Sequence, residues 1–113
     1  MKRIEAIIRP GKLDALIDNL EEIGISGLNV AQVKGYGSQK GHPEEIYRGV
    51  RYRIRLREKI KVETIADDDK VDEIINTIVE CTQTGEVGDG KIFLSPVEDA
   101  VRIRTGETGA DAL

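Results

Sequence analysis

Residues 84–93 read TGEVGDGKIF, with Gly85, Gly88 and Gly90 inside six positions and Lys91 directly after them. Glycine removes the Cβ barrier to positive φ and lets a backbone approach a ligand closely. Successive N–H groups in such a loop can converge into a concave anion site, and a lysine adds a compact cation that suits phosphate. The run from Gly85 to Lys91 fits the front of a Walker A loop, G-x-x-x-x-G-K. However, Ile92 stands where the Mg²⁺-holding Ser or Thr belongs. The order of elements is also reversed, because a Walker loop leaves a strand and opens a helix, and this one leaves a helix and opens a strand. A P-loop NTPase is therefore excluded. Two readings stay open on this stretch alone: a phosphate cradle, or a glycine-rich turn that only leads into a strand.

A second concentration of charge lies at residues 51–62. Arg51, Arg53, Arg55, Arg57, Lys59 and Lys61 take the odd positions; Tyr52, Ile54, Leu56, Ile60 and Val62 take the even ones, interrupted by Glu58. Period two predicts one strand with all six cations on one face. Like charges spaced about 7 Å apart repel, so they need carboxylates, a ligand anion or a partner protein. His42 is the single histidine and sits in a polar stretch, where solvation is its simplest role.

The elements that must hold these groups follow from periodicity. Ile4, Ala6, Ile7 and Ile8 predict a buried strand over 3–9, broken by Pro10-Gly11. Leu13, Leu16, Ile17, Leu20 and Ile23 recur at helical spacing, and Gly24 is placed to end that helix in a left-handed conformation. A second strand spans 28–36, with an imperfect period that leaves room for a bulge. From Gly35 to about Gly49 there is no apolar period, which predicts a long loop of the kind that is usually functional or disordered. Asp67-Asp68-Asp69 supplies an N-cap and first-turn negative charge to a second helix. Val71, Ile74, Ile75, Ile78 and Val79 carry that helix to about Thr82. A strand from Lys91 to Val97 follows, then a short strand or extended piece at Val101-Arg102-Ile103-Arg104. The end, TGETGADAL, is small and polar, and is expected to be mobile.

Strand, helix, strand occurs twice, predicting a single α+β domain over 1–113. Its fold class is ferredoxin-like (βαββαβ): an antiparallel sheet with both helices on one face, and the long loop between strands 2 and 3. The other sheet face must be covered, most simply by identical subunits. With 39% hydrophobic and 34% charged residues, the chain has enough apolar content for one core beneath a charged surface. A net charge of −4, one Phe, three Tyr and no Trp disfavour a nucleic-acid module. One cysteine, Cys81, suits a reducing compartment. No apolar run reaches the ~20 residues of a membrane span, and MKRIEAIIRP lacks a signal core, so a cytoplasmic location is expected.

Over nearly its whole length the chain resembles the PII nitrogen-regulatory signal proteins. The resemblance is carried by VKGYG (33–37), QKGH (39–42), YRG (47–49) with Tyr52, TGEVGDGKIF (84–93) and VRIRTGE (101–107). It implies the ferredoxin-like fold, a homotrimer, and regulation without metabolic catalysis. The implied effectors are ATP or ADP in clefts between subunits and 2-oxoglutarate with Mg²⁺-ATP. The implied partner is an ammonium transporter or a nitrogen-assimilation enzyme, with a membrane involved only through such a transporter. Loop 37–55 would be the partner-binding switch, 84–91 the phosphate loop and 98–113 a C-terminal tail.

Carried over by residue, Gly88, Asp89, Gly90 and Lys91 would cradle phosphates. Gly35 and Gly37 would line the nucleotide, and Glu63 would lie near the ribose. Arg102 and Arg104 would reach the phosphates from a neighbouring subunit. Gln39 would help hold Mg²⁺, Gly41 would offer its N–H, and Lys59 would pair with a 2-oxoglutarate carboxylate. Asn29 replaces a frequent Thr near the base, Ser38 a frequent Arg, and one extra residue falls around Pro43-Glu44-Glu45. Tyr52 stands where some relatives are uridylylated, but in YRGVRY rather than YRGAEY. The competing readings are a PII-like sensor of another small molecule and a weak ATP-hydrolysing protein on the same fold. The absence of a nucleophile–base pair weighs against the second.

Overall fold

A computed structural model describes residues 1–36, 44–47, 50–53 and 56–113. Strand β1 (Lys2–Ile8) leads through a 3₁₀ turn at Pro10–Lys12 into helix α1 (Leu13–Glu22) and strand β2 (Asn29–Gly35). Strands β3 (Glu44–Tyr47) and β4 (Val50–Arg53) precede β5 (Arg57–Ala66). A 3₁₀ turn at Asp68–Lys70 opens helix α2 (Val71–Thr82), and β6 (Lys91–Pro96) follows. The main sheet has four antiparallel strands in the order β2-β5-β1-β6, the ferredoxin-like arrangement.

The alternation in β1 and β5 decides which face carries the helices. Ile4, Ala6 and Ile8 of β1 and Ile60, Val62 and Ala66 of β5 are buried against Leu16 and Leu20 of α1 and Val71, Ile74 and Ile78 of α2. Burying each large side chain stabilises the fold by about 1.5–3 kcal/mol. Thr64 is buried in β5, and its hydroxyl is satisfied by donating to the Gly27 carbonyl at 2.8 Å.

Helix α1 stops as its sequence indicates. Gly24 has φ 92°, its N–H donates to Glu21 O (3.0 Å) and the Ile25 N–H donates to Leu20 O (3.0 Å). These two bonds form a Schellman closure. Helix α2 ends where Gln83 turns extended, its N–H still bonded to Val79 O.

On the uncovered face, Glu5 and Glu63 lie directly opposite each other. Their repulsion is offset diagonally, by Lys61 to Glu5 at 3.4 Å and Arg3 to Glu63 at 3.6 Å. Phe93, on the same face, stays 52% exposed.

Several expectations need correction. The segment expected as one strand over 51–62 is divided. Arg51 and Arg53 lie in β4, which pairs only with β3, whereas Arg57, Lys59 and Lys61 lie in β5, paired on both sides with β1 and β2. Arg55 lies outside the described residues. The six cations therefore do not form one ladder, and β5 continues to Ala66. The expected structureless loop contains the β3–β4 hairpin, in which Glu44 faces Arg53 and Ile46 faces Arg51 across the strands. Strand β2 runs against β5 in unbroken register, without a bulge.

No side-chain bond caps the turn at Asp67. Residues 101–104 form no strand beyond an isolated bridge from Val101 to Thr108. The tail expected to be mobile is folded back on itself, ending in a 3₁₀ turn at Gly109–Ala112.

Ile74 is fully buried between α1, α2 and the sheet. We expect Ile74→Ala to cost about 2–5 kcal/mol of stability, read as a lower urea midpoint with a similar slope. An unchanged midpoint would contradict this placement of the core.

Candidate functional site

The glycine loop is shaped by one carboxylate. Asp89 accepts bonds from the Thr84 N–H (2.8 Å), the Gly85 N–H (2.9 Å) and the Thr84 hydroxyl. The Thr84 hydroxyl, then its amide, with further help from Gly85 and Arg9, hold the Asp89 carboxyl well below the usual carboxylate range. Arg9, at the end of β1, donates to Asp89 at 3.3 Å and to Val87 O at 3.0 Å.

The loop turns back through glycines at positive φ: 87° at Gly85, 103° at Gly88 and 101° at Gly90. Gly90 is required twice over, since a Cβ there would lie 1.7 Å from Ile7 O. The loop backbone is thus pressed against β1, and Lys91 begins β6 opposite Ile7.

Lys59 joins the loop from β5, donating to Gly88 O at 2.6 Å. Burial, then Arg9 and Arg57, push its ammonium below the ordinary lysine value, and Asp89 pulls the other way. Arg57 leaves a buried Nε without a hydrogen-bond partner among the described residues. Gly35 lies opposite Arg57, and a Cβ there would be 3.3 Å from Lys59 Cγ, so glycine makes room for the lysine stem. Lys91 is exposed and makes no ion pair among the described residues. Arg9, Lys59 and Lys91, with the unpartnered Arg57 Nε, outnumber the carboxylates of Asp89 and Glu86 at this loop, an arrangement that can accept an added anion.

At the far end of β5 lies a cavity of about 530 Å³, within the usual range for a small-molecule site. Asn29 and Glu63, paired across β2 and β5, line it together with Gly27, Ile65, Ala110 and Leu113. Glu63 is held by Arg3. Arg102 lies in the tail that forms one wall of this cavity, bonded to Glu107 (2.9 Å) and Leu113 O (3.0 Å). Arg104 is exposed and without a partner among the described residues.

One copy of the chain therefore carries two separate groups. Gly35, Lys59, Gly88, Asp89, Gly90 and Lys91 gather at the loop end. Glu63 lines the cavity at the other end and Arg102 is bonded to its Leu113, whereas no contact among the described residues ties Arg104 to either group; the seven residues of β5 from Lys59 to Ile65 span roughly 20 Å. Gly37, Ser38, Gln39, Gly41 and His42 lie outside the described residues. Tyr52 lies in β4, opposite Glu45.

Sequence reasoning missed Arg9, Thr84 and Leu113. Arg9 was accessible in principle, because pairing β1 with β6 puts its end beside the loop. Asp89 as the loop's internal anion, and the tail as a cavity wall, needed tertiary structure. Among the described residues, no helix is long and apolar enough to cross a membrane.

Asp89 generates a pH expectation. Its folded value is depressed, so its contribution is complete above the ordinary carboxylate value of about 4 and is lost as pH falls below that through the folded value. Amide exchange at Thr84 and Gly85 should stay slow from pH 7 to about 5, and become fast in Asp89→Asn across that range. Protection that survives Asp89→Asn would contradict the assigned role.

A family model described as Nitrogen regulatory protein P-II matches residues 1–107. Proteins named Nitrogen regulatory protein P-II are similar along the full length of both chains. The one from Cereibacter sphaeroides is 52% identical over 113 residues, and those from Bradyrhizobium diazoefficiens and Haemophilus influenzae are each 50% identical.

Proposed function

From a chain that belongs to the nitrogen regulatory protein P-II family, we propose a sensor that binds ATP or ADP between subunits and relays its occupancy to a target protein. The observation that carries this reading is the separation of the two groups on β5. Glu63 and Asn29 beside a 530 Å³ cavity suit a nucleoside. The cation-rich glycine loop suits a polyphosphate. A single chain holds them at opposite ends, so a second copy must bring its own cavity end to the loop of the first. A homotrimer closes three such junctions by one repeated contact, and it covers the open sheet face that carries Phe93.

In this reading Lys91, Gly88 and Gly90 hold phosphates, and Arg102 and Arg104 of the adjoining copy complete the charge balance. Lys59 carries a depressed ammonium that gains from an anion. It takes a carboxylate of 2-oxoglutarate, whose other contacts fall to Gln39 and Gly41 in the segment before β3. Mg²⁺ would supply charge neutralisation between nucleotide and 2-oxoglutarate, with Gln39 as the chain's ligand to it.

The segment 37–55 passes from β2 to β5, both of which border the loop end. Ligand contacts at Lys59 can therefore bias its conformation, a shift limited to their differential affinity for the two states. The target is a protein that reads that segment, of which an ammonium transporter and nitrogen-assimilation enzymes are the candidates. Tyr52, which stands where some relatives of the resembled family are uridylylated, is the candidate for modification in this segment. The protein works inside the cytoplasm, where both effectors are found.

Titration calorimetry with ATP, with and without 2-oxoglutarate and Mg²⁺, tests the assignment. Lys91→Ala and Arg102→Ala should each weaken ATP by about tenfold or more, the value of one charge-assisted bond. Gln39→Ala should spare ATP and weaken 2-oxoglutarate. Unchanged ATP affinity in both cation variants would refute the site.

A further inference from the structure

The cation expected to meet the phosphates is already occupied. Arg102 gives Nη1 to Glu107 (2.9 Å) and Nη2 to Leu113 O (3.0 Å). The backbone closes the same turn, with the Arg102 N–H on Glu107 O (2.8 Å) and the Gly106 N–H on Arg102 O (2.7 Å). Val101 bridges Thr108, and the Gly109 N–H reaches Ala100 O and Asp99 Oδ1, both at 3.0 Å. The strap so fixed runs on to Ala110 and Leu113, which line the cavity beside Asn29 and Glu63. One short segment thus neutralises the arginine and forms part of the cavity wall.

We infer that Glu107 is the resident counter-ion of Arg102, with the Leu113 carbonyl as a second acceptor, and that a polyphosphate ligand binds by displacing Glu107. The inference rests on the nucleotide reading above and sets how tightly that site can bind. Two of the five guanidinium N–H donors are taken within the chain, one of them by the Glu107 carboxylate. A phosphate that approaches the Nη1 side meets that carboxylate, so Glu107 competes with the ligand for the arginine's charge and for that donor. Arg102 and Glu107 are both partly exposed, at 35% and 46%. A pair so placed is weakly held, which lets a multiply charged ligand replace it. Release of Glu107 also frees the bridge at Thr108 and the strap over the cavity, so charge exchange and opening of the cavity are one event.

The test uses the full-length protein titrated with ATP and, separately, with inorganic triphosphate. Glu107→Gln keeps the shape and removes the charge, and should bind both probes about two- to fivefold more tightly, the range set by one exposed ion pair. Deletion of residues 110–113 should tighten ATP in the same direction. In an Arg102→Ala background, Glu107→Gln should change nothing, because the competing pair is gone. Amide exchange at Gly106 and Gly109 in the ligand-free protein should quicken in Glu107→Gln. ATP binding that is unchanged or weaker in Glu107→Gln overturns the exchange and leaves the nucleotide reading standing. Triphosphate binding without ATP binding in the unaltered protein overturns the nucleotide reading and leaves the exchange standing. Binding of neither probe overturns both.

Discussion

The carboxylate of Asp89 is the interaction on which the loop end of the molecule depends. A glycine-rich segment has no intrinsic preference for one shape, and fixing it costs more backbone entropy than fixing any other sequence. Asp89 offsets that cost by gathering donors from Thr84 and Gly85 and an arginine from β1. Gly90 then lets the chain lie against Ile7. With the loop set, Gly88 presents its carbonyl to Lys59, and Lys91 enters β6 in register with β1. The front of the loop thus holds an anion of its own, and the chemistry left for a ligand belongs to the lysines and the later glycines.

Much of this was legible in the residues. The 3.6-residue periods of both helices, the stop at Gly24 and the alternation of β1 are local signals, and packing acts in the same sense as each of them. The error at 51–62 arose because period two is blind to pairing. The alternation continues through Arg51, Arg53, Arg57 and Lys59, yet β4 and β5 have different neighbours. The hairpin before it escaped notice because Glu44–Tyr47 has no apolar period, and its order comes from pairing with β4. The tail looked mobile because it is small and polar. Its structure depends on Arg102 and Glu107, five residues apart, joined by charge and backbone bonds together.

The glycine loop was recognisable as a site, but its internal logic was not. Gly-x-x-Gly-x-Gly-Lys suggests a phosphate cradle, and Lys59 appeared as one of six similar cations. The resemblance singled out Lys59, and the fold adds the physical ground, because burial and the nearness of Arg9 and Arg57 destabilise its charge, whereas Lys61 is paired with Glu5. The fold likewise adds what alternation could not for Arg57, a buried Nε without a partner among the described residues. Each chain thus carries an excess of cation at one end of β5 and a cavity of about 530 Å³ beside an ion-paired arginine at the other, and the proposed function joins the two across copies.

Complementation between copies tests that need most directly. Protein carrying Lys91→Ala and protein carrying Arg102→Ala are each titrated with ATP, then mixed, dissociated and reassembled, and titrated again. If the site joins the loop of one copy to the tail of the next, the mixture recovers a fraction of tight sites, because some junctions combine the intact lysine of one variant with the intact arginine of the other. A mixture that binds no better than its two components, despite exchange of subunits, would contradict a site shared between copies.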